Sequence, residues 1–117
     1  MANVKETHVL KMDKDVFAKN LSGLRGFTIR STADRDFHIG DIVIERETVN
    51  SGQEMAEGAP LEYTGREIHS HITYIENGPS YGLQEGWAIL QLRQFRTEDH
   101  GHWSPEPEEE PEQDPAS

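Results

Sequence analysis

Cysteine is absent from the 117-residue chain. Its absence removes disulfide frameworks, thiolate metal sites and cysteine nucleophiles, and agrees with a cytoplasmic setting. No stretch of eighteen apolar residues occurs, and the first twenty residues carry Lys5, Glu6, Lys11, Asp13, Lys14, Asp15 and Lys19 where an export signal needs an apolar core. Neither membrane insertion nor secretion is expected. Basic residues are missing beyond position 97: all 11 Lys and Arg precede it, whereas eight of the 22 acidic residues follow it. The net charge of -11 is therefore mostly a property of one end, and residues 1–97 carry 14 acidic against 11 basic groups. An overall basic excess, the usual footprint of non-specific nucleic-acid binding, is lacking, so any nucleic acid recognised is held in a pocket and not along a broad basic stripe. The repeated glycines of phosphate loops are lacking too.

What remains is a chain of short, punctuated elements. Thr7 to Met12 reads as a first strand that stops at Asp13, a residue suited to cap a helix over roughly 14–22. Val16, Phe17 and Leu21 share one face of that helix, Met12 and Phe17 stand at hydrophobic-staple positions, and Gly23 supplies the left-handed terminator. Phe27-Thr28-Ile29-Arg30-Ser31 alternates, which predicts Phe27 and Ile29 on the core face and Thr28 and Arg30 together on the other. After the Gly40-Asp41 turn, residues 42–47 read as another strand. Residues 49–62, with Gly52, Gly58 and Pro60, read as a long exposed loop. Thr64 to Ile75 has the composition of a central strand, and Trp87 to Leu92 of a last one, with Arg93 to Arg96 fraying outward. The expectation is an α+β domain over residues 1–97, about five or six mostly antiparallel strands curling into a small β-barrel with one main helix. Residues 98–117, which hold four of the six prolines among acids, read as a disordered acidic tail.

Among polar residues, Lys11, Arg30 and Arg35 are candidates for a cationic patch able to neutralise phosphates, unless Asp34-Arg35-Asp36 and Glu45-Arg46-Glu47 pair off locally. Tyr63, Tyr74, Tyr81 and Trp87 offer stacking surfaces. His69 and His71 point to one face of a strand, and His100 and His102 repeat the spacing, but no companion acid has a convincing ligand spacing. No metal site and no cofactor are expected.

His8-Val9-Leu10-Lys11, Phe27-Thr28-Ile29-Arg30, Asp34-Arg35-Asp36-Phe37-His38-Ile39-Gly40-Asp41, Tyr63-Thr64-Gly65-Arg66, Ile72-Thr73-Tyr74-Ile75 and Gly86-Trp87-Ala88-Ile89-Leu90 together resemble the DUF3850 family, a branch of the ASCH group in the PUA-like superfamily common in phages and bacteria. The resemblance covers roughly residues 7–95. It implies a PUA-like β-barrel that binds RNA or a modified nucleotide, working in the cytoplasm of a bacterial or phage-infected cell. One ASCH branch resembles an amidohydrolase acting on acetylated cytidine through a Thr, a Lys and a Glu. Its Gly-x-Lys-Thr-x-Thr-x-Arg motif reads here Gly23-Leu24-Arg25-Gly26-Phe27-Thr28-Ile29-Arg30, which makes Thr28 the candidate nucleophile and puts Arg25, an obligate cation, at the lysine position. Neither Glu67 nor Glu85 aligns as the third acid. On the binding reading Arg25 and Arg30 meet phosphate or carbonyl oxygens, Lys11 and Arg35 flank them, and Tyr63 closes over a base from the long loop. A third reading is a host-directed protein whose acidic tail engages a basic partner.

Overall fold

The computed structural model describes residues 5–100. Alternation shapes its first strand, β1 (Thr7–Met12), in which His8, Leu10 and Met12 turn inward. Asp13 then stands in extended conformation at the N-cap of α1 (Lys14–Leu21), but it makes no capping bond. Its Oδ1 instead accepts from the Gly52 amide at 3.0 Å, tying the start of the helix to a segment 39 residues along the chain. Met12 and Phe17 meet as a staple predicts and close an apolar cluster with Ile68, Val16 and Leu21. Gly23, at φ 86°, ends the helix with its amide on the Asn20 carbonyl.

The second strand, β2 (Phe27–Ser31), has the expected bounds and the opposite facing. Thr28 and Arg30 are buried, at 2% and 5% exposure, whereas Phe27 and Ile29 lie at the surface, at 37% and 43%. The inversion follows from the partners waiting inside. Arg30 Nη2 donates to the Lys11 carbonyl at 2.7 Å and Nε to Thr28 Oγ1 at 3.3 Å, and its charge lies in the field of a buried glutamate, Glu45. A guanidinium with interior acceptors outweighs two apolar side chains that still shed part of their surface.

The remaining elements are β3 (Ile42–Thr48), α2 (Gly52–Ala56), β4 (Tyr63–Asn77) and β5 (Trp87–Asp99). Segment 49–62 is thus not all loop. Ser51 Oγ accepts from the Glu54 amide and Glu54 returns a bond to the Ser51 amide, a capping box that holds the single turn of α2. Nor do Arg93 to Arg96 fray: they remain paired with β4, and the ladder runs out to Arg66 opposite Asp99.

The five strands form one sheet in the order β1-β3-β4-β5-β2. The β1–β3 pair is parallel and the others are antiparallel. The sheet curls into a half-barrel, mostly β, in which the Arg30–Lys11 bond joins the two edge strands β2 and β1. A second apolar cluster of Leu10, Val43, Ile72, Ala88 and Leu90 fills the curl. Glu45 and Ser70, on the same inward faces as Val43 and Ile72, are buried polar groups within it. Among the described residues no helix is long and apolar enough to cross a membrane. The expected tail lies, beyond His100, outside the described residues.

Candidate functional site

The inward face of β3 carries Val43, Glu45 and Glu47. Glu45 is completely buried, and its two oxygens are treated differently. Oε2 accepts a hydrogen bond from Asn20 Nδ2 at 3.0 Å, whereas Oε1 has no partner among the described residues. Burial pushes the carboxyl up to about 7, against the Asn20 bond and the fields of Arg30 and Arg25, which favour the charged form. Both protonation states are therefore populated at neutral pH, which suits the group to donate as well as accept.

Asn20 is delivered by the last turn of α1 and is fixed from three sides. Nδ2 also reaches Met12 Sδ at 3.4 Å, and Oδ1 accepts from Arg25 Nη1 at 3.4 Å. The Arg25 guanidinium lies 4.4 Å from the centre of the Phe27 ring, and burial lowers its proton affinity, with Glu45 opposing and Arg30 reinforcing that shift. These groups border a half-open cavity of ≈ 480 Å³ between the end of α1, β3, β4 and β5, with Ser70 and Gln91 on its walls and Arg93 in its lining. That size is within the range of small-molecule sites, roughly 300–1,000 Å³.

The structure brings Arg25, Thr28 and Arg30 to this end of the half-barrel and separates the other expected residues from it. Arg25 lines the cavity; Thr28 and Arg30 are buried in the sheet, and the Thr28 hydroxyl accepts from Arg30 Nε. Lys11 contributes its carbonyl to Arg30, while its side chain alternates to the face opposite Leu10 and Met12. Arg35 belongs to the connection between β2 and β3 and does not line the cavity. Tyr63 is corrected in place: it opens β4 and is buried, with the Arg46 guanidinium 4.0 Å from its ring centre, so it is not a loop residue free to close over a base. Local pairing within Glu45-Arg46-Glu47 is corrected as well. Arg46 Nε faces Glu67 at 3.4 Å, Glu47 pairs with Arg66, and Glu45 turns to Asn20.

A family model described as "Domain of unknown function (DUF3850)" matches residues 7–92. The chain belongs to the DUF3850 family. No curated protein matches it. Two segments that carry the DUF3850 resemblance prove to be structural clamps. In Tyr63-Thr64-Gly65-Arg66, the Thr64 hydroxyl donates to Glu47 Oε1 at 2.7 Å, and Arg66 grips both oxygens at 2.8 and 2.9 Å. Gly65 between them is buried at φ 98°, a conformation open to glycine, where the ladder with β3 shifts register. In the segment ending Gly40-Asp41, the Asp41 carboxylate accepts from the Glu6 and His38 amides and pairs with His8 Nε2 at 2.9 Å. Burial opposes charge on Asp41, but these bonds together outweigh it and hold the carboxyl below its ordinary value.

Glu45 and Asn20 were missed by sequence reasoning. Glu45 alternates with Val43 and Glu47, a pattern that carries no sign of which carboxylate turns to an amide and which to a guanidinium. Two groupings of potential metal ligands also arise, Glu6 with His38 and Asp41, and Glu67 with His69 and Glu98. In the first, Asp41 is already taken up by the clamp just described.

Proposed function

We propose that the DUF3850 domain binds a nucleotide, within RNA or as a modified nucleotide, by receiving its base edge in the cavity beside Glu45. The observation that carries this reading is a fully buried carboxyl, poised near neutrality, with one oxygen satisfied by Asn20 and the other lacking a partner among the described residues. A protonated carboxyl presents a donor and an acceptor side by side. Cytosine and adenine present the complement, a ring-nitrogen acceptor next to an exocyclic amine, whereas uracil presents an N–H beside carbonyls. Arg25 and Arg93 in the lining supply positive charge for a phosphate. On this reading the half-barrel is a PUA-like barrel of ASCH type that works in the cytoplasm of a bacterial or phage-infected cell.

Calorimetric titration of the full chain with CMP, AMP and UMP at pH 6 and pH 8 tests it. CMP or AMP is expected to bind in preference to UMP, and more tightly at pH 6, where Glu45 holds its proton. Glu45→Leu is expected to weaken binding by about 1–3 kcal/mol, the worth of one bidentate base contact. Glu45→Gln keeps the shape and a donor, and its binding is expected not to change between the two pH values. Equal affinity for all three nucleotides, or binding indifferent to Glu45→Leu, refutes the reading. Acetate released from acetylcytidine by the wild type and not by Glu45→Gln would replace it with hydrolysis, with Glu45 as general base.

A further inference from the structure

On the opposite face of the sheet from the cavity, four side chains with metal-binding atoms converge where β4 and β5 approach the end of their ladder. Glu67 and His69 are two apart on β4 and share one face. Glu98 lies directly across from Glu67 in the antiparallel register, and His100 follows it by two residues. His100 is anchored as it leaves the strand, its amide donating to the Gly65 carbonyl at 2.9 Å. His69 Nε2 lies 3.0 Å from Glu67 Oε1, and His100 Nε2 lies 3.6 Å from Glu67 Oε2 and 3.6 Å from Glu98 Oε1. The Glu67, His69 and Glu98 donor atoms all fall within 4.8 Å of one another.

We propose that Glu67, His69, Glu98 and His100 form a closed site for a divalent transition-metal ion, zinc by the chemistry of its ligands, that staples the end of β5 to β4. Tetrahedral zinc with nitrogen and oxygen ligands at about 2.0–2.1 Å sets neighbouring donors about 3.3–3.4 Å apart. With one donor atom from each residue, Glu67, His69 and Glu98 are already mutually close, and the His100 ring, 3.6 Å from an oxygen of Glu67 and of Glu98, turns inward to complete the shell. Two imidazoles with two carboxylates suit zinc and its neighbours in the first transition series, and not calcium or magnesium, which take all-oxygen shells.

Without metal, the carboxylates are held by arginines: Arg46 Nε lies 3.4 Å from Glu67, and Arg96 Nε lies 3.2 Å from Glu98. Arg96 Nη2 also meets His69 Nδ1 at 3.3 Å. A guanidinium only donates, so Nδ1 is the acceptor there and Nε2 carries the ring proton, which it gives to Glu67. Metal binding exchanges this arrangement for another. A metal–nitrogen bond forms at Nε2, the proton leaves Nε2, the neutral ring takes one at Nδ1, and Arg96 must withdraw. Its side chain is more than half exposed and can swing into solvent. Arg96 is thus a competitor of the metal, a role that a purely structural ion-pair network does not predict.

The test is titration of the full chain with zinc chloride by calorimetry, alongside histidine side-chain NMR and thermal melting. About one equivalent is expected to bind, shifting the His69 and His100 ring signals and raising the melting temperature, as any ligand of the folded state does. Glu67→Gln and His69→Ala are each expected to weaken binding by at least roughly tenfold. Glu98→Gln and His100→Ala, at more exposed positions, do the same in variants whose folding is secure. Arg96→Gln is expected to tighten binding. His71→Ala, on the same face but stacked on Phe95 at 4.5 Å, leaves it unchanged. Absence of binding, binding that survives both His100→Ala and Glu98→Gln, or an Arg96→Gln variant that binds no more tightly overturns the proposal. None of these readouts depends on the Glu45 cavity.

Discussion

Glu45 and Glu47 stand two residues apart on the same strand, face the same interior and are almost equally buried, yet one is a clamp and the other an open hand. Glu47 accepts three hydrogen bonds, two from the Arg66 guanidinium and one from the Thr64 hydroxyl. Glu45 accepts at Oε2 from a neutral amide, Oε1 has no hydrogen-bond partner among the described residues, and the fields of Arg25 and Arg30 favour its charged form. A buried carboxylate met by a bidentate arginine is satisfied and contributes structure. One met by a single amide carries a standing desolvation penalty, reflected in its elevated proton affinity, and persists where something else needs it. The comparison teaches that the residue type and its periodicity say little here; the strand opposite decides. At Glu47 it offers Thr64 and Arg66, and at Glu45 it offers Ile68 and a cavity wall.

The most severe way to break the comparison is to turn Glu47 into a second Glu45. Arg66→Ala removes the bidentate partner and leaves a buried carboxylate with one hydroxyl. Breaking a buried pair by removing one member costs about 3–5 kcal/mol; the lower end, about 3 kcal/mol, is expected, because the Arg66 side chain is 40% exposed and water enters in its place. The loss includes the guanidinium's contact with the Phe17 ring, 5.1 Å from its centre. Urea unfolding at neutral pH measures it, and a change below about 1 kcal/mol, the level of an exposed ion pair, would show that the clamp is not structural.

A second experiment sharpens the contrast through pH. Glu45 has a folded value of about 7 against an ordinary 4.5, so the folded state binds the extra proton. Its contribution is therefore fully favourable below 4.5 and is lost as pH rises through about 7, a fall of up to about 3 kcal/mol in unfolding free energy. Asp41 runs the other way, its held-down value stabilising the fold above the ordinary 3.8 and losing that effect in acid, below the window of interest. Urea unfolding from pH 5 to pH 8 is expected to show wild-type stability falling by about 2–3 kcal/mol, and Glu45→Gln, which has no proton to lose, is expected to remove most of that slope. Parallel profiles for the two proteins would mean that Glu45 does not titrate in this range.

How far the sequence led can be judged from the same elements. β1, α1 and β3 were legible because their apolar spacing, the Met12–Phe17 staple and the Gly23 terminator each answer to local rules. The family was legible from the motif order, and residues 7–92 match it. The facing of β2 was not legible, since Phe27 and Ile29 look like the core until Arg30 is seen to have interior acceptors in Lys11 and Thr28. The far half of β5 was hidden by its charge: Arg93 to Asp99 resembles a fraying end, and pairing with the equally long β4 makes it strand. That misreading assigned Glu98 and His100 to the tail and kept them apart from Glu67 and His69, across the ladder. The helix α2 carried a local signal, Ser51-x-x-Glu54, beneath its glycines. Glu45 had none, because what marks it is a contact with Asn20, 25 residues away.

The finest test concerns that contact. Asn20→Ala deletes the hydrogen bond that Glu45 Oε2 accepts, beside an Oε1 that already has no partner among the described residues. Because the bond favours the charged form, its removal raises the proton affinity of Glu45 further, and the midpoint of the pH-dependent stability moves upward from about 7. At neutral pH the destabilisation is expected to be modest, about 1 kcal/mol, since the protonated carboxyl tolerates the loss better than a carboxylate does. The same variant frees Arg25 from Asn20 Oδ1 while keeping its stack on Phe27. If Asn20 merely fills space, the midpoint stays where it is and the stability loss is the same at pH 5 and pH 8. If it holds Glu45 ready for a ligand, the loss grows with pH and the preference for nucleotides with an exocyclic amine weakens in step.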